Sequence, residues 1–130
     1  MQTVTPFLMF TGQAEAAMTL YTTTVKNSAI TSVTRYGPNE AGAEGTVQLA
    51  HFTLDGQEFT AIDSNVEHGF TFTPSISLYV RWATEAEIDA VYTRLVEGGQ
   101  VLMELAAYPF SPRFAWIQDR FGVSWQLSLA

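Results

Sequence analysis

Along the chain, hydrophobic positions alternate with polar ones, then recur at helical spacing, then alternate again, and this order occurs twice. Residues 3–10 (TVTPFLMF) read as a strand, with Pro6 tolerated near a strand start or on an edge. In QAEAAMTLYTTTV, Ala14, Ala17, Met18, Tyr21 and Val25 fall at i, i+3, i+4, i+7 and i+11, the stripe of a helix over 13–25. The three threonines at 22–24 are poor helix interior, so fraying is expected there. Residues 28–36 are β-branched and strand-like, and Gly37–Gly45 is a loop on composition. Segments 47–56 and 57–64 predict a hairpin turning at Asp55-Gly56. A second loop runs over 64–74 and closes at Pro74.

The second half repeats the order. In SISLYVRW (75–82), Ile76, Leu78, Val80 and Trp82 alternate with Ser75, Ser77, Tyr79 and Arg81. Thr84-Glu85-Ala86-Glu87 has the spacing of a capping box and opens a helix over 84–97. Ile88, Val91, Tyr92 and Leu95 form its inward stripe, and Gly98-Gly99 suits a left-handed C-cap. Strands over 100–105, 113–118 and 123–129 complete the chain, the last two joined through Asp119–Gly122. Each half thus reads strand, helix and three strands, a repeat of element order rather than of residue identity. Such a unit covers one sheet face with its helix and leaves the other bare.

Composition narrows the partners. At 130 residues with 47% hydrophobic and 15% charged content, the chain can bury its own core. Its net charge is −7, and its six basic residues, Lys26, Arg35, Arg81, Arg94, Arg113 and Arg120, are scattered. They cannot track a phosphate backbone or an anionic bilayer, so neither nucleic acid nor membrane is an expected partner. The absence of cysteine excludes disulfides, thiolate metal sites and a Cys nucleophile. No signal-peptide pattern or transmembrane-length apolar run occurs, and a cytoplasmic protein is expected.

Three stretches carry a family resemblance: FTFTPSISLYV, LVEGGQVLM, and YPFSPRFAWIQDRFGVSWQLSL. From Phe70 onward they closely resemble the PhnB-like branch of the vicinal-oxygen-chelate (glyoxalase/bleomycin-resistance) superfamily. The Trp116–Gln126 stretch is the most specific part. TPFLMF-TGQAEAAMTLY and RYG…EGTVQLAHFTLDGQEFTAID fit the same family more loosely. The resemblance implies an α+β fold of two βαβββ modules forming a cupped eight-stranded mixed sheet. One domain would span 1–130, with module one about 1–64, a linker at 65–74 and module two about 75–130. Members often carry the label 3-demethylubiquinone-9 3-methyltransferase domain. Methyl transfer itself is not expected, because a Rossmann-type cofactor site needs a glycine-rich strand-to-helix turn. The nearest cluster, Gly42-Ala43-Glu44-Gly45, precedes a strand.

Metal-dependent members of the superfamily use His and Glu on the first and last strands of each module. By resemblance, the fifth-strand position falls at or next to Ser75 and the last-strand position at Gln126. The first-module positions fall near Thr5–Phe7 and Ala61–Asp63, with Asp63 alone suited to a metal. Neutral residues at 75 and 126 do not make a divalent site, so no metal and no cofactor is expected. Parity adds a pocket. Ser75, Ser77, Tyr79, Ser124 and Gln126 share one side of their strands, opposite the apolar residues. Ser75, Ser77, Tyr79, Trp116 and Gln126 are the expected ligand-binding set, with a wetted or dimer-covered face as the alternative. Elsewhere, His51 suits either a general base or a structural hydrogen bond. His68 reads as solvated, Asp63 as a turn former, and Asp119-Arg120 as a structural pair positioning the last hairpin.

Two functions remain open. One is a metal-free module that binds a small neutral or weakly anionic organic molecule. The alternative is a metal-dependent isomerase, lyase, dioxygenase or thiol transferase. A homodimer is expected, with Phe70-Thr71-Phe72 and Tyr108-Pro109-Phe110 supplying apolar contacts.

Overall fold

The structure is a computed structural model that describes residues 2–130. Its chain divides into two compact units, Met1–Gly69 and Phe70–Ala130. The first contains β1 (Phe7–Phe10), α1 (Ala14–Thr24), β2 (Ala29–Arg35), β3 (Val47–Leu54) and β4 (Gln57–Asp63). Its strands lie in the order β1-β4-β3-β2, with β1 parallel to β4 and the remaining pairs antiparallel. β1 is shorter than its hydrophobic run. Pro6 has no N–H to donate, and only its carbonyl joins the ladder, accepting from Thr60 N at 2.9 Å. At the β3–β4 turn Asp55 and Gly56 both take positive φ, 47° and 81°, as a tight primed hairpin turn requires.

α1 lays Ala14, Ala17, Met18, Leu20 and Tyr21 into the core, where Tyr21 meets Phe52 and Phe52 stacks on Phe59. The expected fraying at 22–24 does not occur. The Thr22, Thr23 and Thr24 hydroxyls donate to the carbonyls of Met18, Thr19 and Leu20 at 2.6–2.8 Å, so this turn satisfies itself. The face carrying Ala50, Phe52, Phe59 and Ala61 is buried, whereas His51, Thr60 and Phe7 lie on the other side of the same pleat.

The second unit contains β5 (Ser77–Trp82), α2 (Glu85–Val96), β6 (Gln100–Tyr108), β7 (Ser111–Gln118) and β8 (Ser124–Leu129). Its order, β5-β8-β7-β6, repeats that of the first unit, again with one parallel pair, β5 and β8. The α+β class, the βαβββ order of each half and eight strands in mixed sheets therefore stand as expected. They divide into two sheets of four.

The Thr84 side chain accepts from Glu87 N at 3.2 Å, and Gly98 ends the helix region at φ 75°. Gly99 could carry no side chain, because a Cβ there would lie 2.0 Å from the Gln118 carbonyl oxygen. Ile88, Val91 and Leu95 pack on the sheet side bearing Ala115, Ile117, Trp125 and Leu127, and Arg113 on that side reaches Asp89 of α2 at 2.7 Å. β6 and β7 run longer than the alternation predicts, because register shifts at Met103 and Ala106 break the period without ending the pairing.

Candidate functional site

The face of the second sheet turned away from α2 is polar by register. Ser77 pairs with Ser124, Tyr79 with Gln126 and Trp116 with Gln126, so these side chains stand together on one side of β5, β8 and β7. Ser124 is the hub. It is 1% exposed, its hydroxyl oxygen lies 2.7 Å from Ser77 Oγ, and it accepts the Trp116 indole N–H at 2.8 Å. Gln126 Nε2 donates to Ser77 Oγ at 3.3 Å. Tyr79 is 53% exposed and lies under the Arg81 guanidinium, 5.8 Å from its ring centre.

Four of the five expected residues, Ser77, Tyr79, Trp116 and Gln126, are thus brought onto one sheet face. Ser75 is not on the strand. It lies in the turn that follows Pro74, exposed, with its hydroxyl 2.7 Å from that of Thr73. Alternation extends through Ser75 in sequence, but Pro74 and this local bond bend the chain before β5 begins. Ser124 holds the group together, and its parity with Gln126 is the signal for it in the sequence.

Asp119 makes a second buried centre behind this face. One carboxylate oxygen accepts from Phe121 N at 2.8 Å and Val123 N at 3.1 Å, and the other from the Trp125 indole at 2.9 Å. The Arg120 guanidinium lies over the Phe121 ring, 5.1 Å from its centre. The turn that starts β8 is therefore set by Asp119, which fixes the height at which Ser124 and Gln126 emerge.

In the first unit, Asp63 does more than form a turn. Its Oδ1 accepts from Gly12 N and Ala14 N at 2.8 and 2.9 Å, and its Oδ2 from Val47 N at 2.9 Å. Both oxygens serve the backbone, and the carboxylate takes the place of a side-chain cap at the start of α1, where Gln13 makes none. His51 is exposed and its Nδ1 lies 3.2 Å from Thr60 Oγ1. His68 lies in the loop with Nε2 2.8 Å from Ser64 Oγ.

A concavity of about 460 Å³ opens on the first unit, lined by Thr31, Ser32, His51, Thr53, Glu58 and Thr60 among others. It does not coincide with the polar face of the second unit. We favour the latter as the site because a buried hydroxyl holds its exposed groups in fixed orientation, whereas His51 and Glu58 stand exposed.

The side chains present do not fit the groups that the family resemblance implies. Among the described residues no three of His, Asp and Glu gather as metal ligands. Ser77 and Gln126 are neutral and already bonded to each other, and Asp63 is committed to three amides. A methyl-donor cradle fares no better. The amides opening α1 are taken by Asp63, the start of α2 by Thr84, and the glycines near 42–45 lead into β3. Among the described residues no helix is long and apolar enough to cross a membrane.

Comparison with known proteins bears on the whole chain. Residues 2–128 match the family model described as 3-demethylubiquinone-9 3-methyltransferase. The chain is 56% identical to a PhnB protein from Bacillus cereus, with TM-score 0.97 over 99% of this chain and 100% of that one. A protein of known structure from Pseudomonas aeruginosa shares the fold at 22% identity, TM-score 0.82, over 99% of this chain and 98% of that one. A glyoxalase-related enzyme from Fulvimarina pelagi does so at 16% identity, TM-score 0.64, over 100% and 89%. No curated protein matches. With its strand order in view, the chain belongs to the 3-demethylubiquinone-9 3-methyltransferase family, is similar over its whole length to a PhnB protein, and shares the fold of a glyoxalase-related enzyme.

Proposed function

We propose that this chain binds a small organic molecule on the polar face of its second sheet, without an essential metal, its two modules acting as one domain. The observation that carries this is the bonded set Trp116–Ser124–Ser77–Gln126, in which a buried serine orients two partly exposed polar groups beside an exposed tyrosine. Preformed hydroxyl and amide groups next to aromatic surface orient a ligand without neutralising charge. Nothing in the same set would activate a methyl donor, which supports a binding role over methyl transfer.

Native mass spectrometry of freshly purified, untagged protein tests the proposal. An organic molecule released on denaturation, with no stoichiometric metal, is the expected result. Stoichiometric manganese, iron, nickel or zinc would overturn it in favour of a metal-dependent enzyme.

A further inference from the structure

We infer that this site selects a ligand group presenting a hydrogen-bond acceptor and a donor side by side, such as a carboxamide or lactam, because Ser77 is left as a pure donor beside the free carbonyl of Gln126. The inference rests on the ligand-site reading above and goes further by assigning each proton.

Trp116 Nε1 can only donate, so it occupies one lone pair of Ser124 Oγ. The 2.7 Å bond between Ser77 and Ser124 could run either way. If Ser77 donated, the Ser124 hydroxyl proton would be buried with no acceptor, since Ser124 is 1% exposed and has no other partner. Leaving a buried donor unpaired costs more than any gain from reversing the bond. Ser124 therefore donates to Ser77.

Ser77 Oγ also receives the Gln126 Nε2 proton, so both of its lone pairs are used. Its own O–H has no acceptor in the protein, and Ser77 is only partly buried, so that proton is offered outward. Gln126 Oε1 likewise has no protein donor and remains an acceptor. One O–H donor and one C=O acceptor on neighbouring side chains match a group whose carbonyl and N–H lie on the same edge. An ionised carboxylate or an ester can satisfy Ser77 but leaves the Gln126 carbonyl facing another acceptor. The exposed ring of Tyr79, register partner of Gln126, offers an aryl group a surface to lie against.

Three matched probes, benzamide, benzoate and methyl benzoate, test this on the 130-residue chain by NMR titration. The signals to follow are the Trp116 indole N–H and the Gln126 side-chain amide. Benzamide is expected to shift both and to bind about ten-fold more tightly than either other probe. The Gln126→Met variant, which offers no acceptor at that position, is expected to lose that preference, read on the Trp116 indole signal. Equal binding of all three probes would leave the ligand site standing and overturn the donor–acceptor assignment. A preference for benzoate would overturn it too, since Arg81 would then be choosing the ligand. If no probe shifts either signal up to its solubility limit, the ligand-site reading fails, and the inference with it.

Discussion

Two buried aspartates do at the residue scale what the backbone cannot do for itself. Asp119 accepts two amides and an indole, and Asp63 accepts three amides from two distant segments. Asp119→Asn would turn an amide donor toward either the Trp125 indole or the turn amides. A loss of about 2–4 kcal/mol is expected, read as a lower urea midpoint at unchanged slope. Ser124→Ala strips an acceptor from Trp116 and a donor from Ser77; about 1–3 kcal/mol should be lost, with a shifted Trp116 indole signal. The polar face was legible because alternation separates Ser77 and Gln126 from Leu78 and Leu127 whatever their partners. The role of Asp63 was not, because its partners at Gly12 and Ala14 lie 51 and 49 residues away, and only folding brings them within reach. Ser75 misled because serine continues an alternating pattern as readily inside a turn as inside a strand.

Among the elements, the two helices were marked unequally in the sequence. The capping box and double glycine delimit α2 almost to the residue, and Thr84→Ala should cost about 1 kcal/mol, measurable by denaturant titration. α1 lacks such marks, because its cap is the remote Asp63 and its last turn is held by threonine hydroxyls that propensity counts against it. A surface pair ties α1 to β2. Arg35 holds both oxygens of Glu15 at 2.6–2.7 Å and keeps that carboxyl below its ordinary range, chiefly through these hydrogen bonds. A carboxyl lowered on folding adds stability above its unfolded pKa and loses it as pH falls through the folded one. Glu15→Gln should therefore be slightly less stable than the parent at pH 7 and indistinguishable from it near pH 2. The gap at pH 7 should shrink in 1 M salt, since the pair is exposed.

For the whole molecule, the expected state is a homodimer. Phe70 and Phe110 are 68% and 64% exposed, and Phe110 stacks with Tyr108 and meets Phe114 edge-on, a rigid aromatic cluster at the β6–β7 turn. Light scattering at micromolar concentration should give twice the chain mass of 14.4 kDa, and Phe110→Asp should return it to one. The repeated strand order has a consequence of another kind. At the first rung of each parallel pair stand Phe7 with Thr60 and Ser77 with Ser124; at the third, Met9 with Ile62 and Tyr79 with Gln126. A chain that carries one pattern twice has a spare copy within itself. Mutation can turn one copy greasy while the other keeps its polar lettering, and neither change disturbs the ladder beneath. In evolutionary terms, such a protein can try new surface chemistry on one half while the other keeps its own.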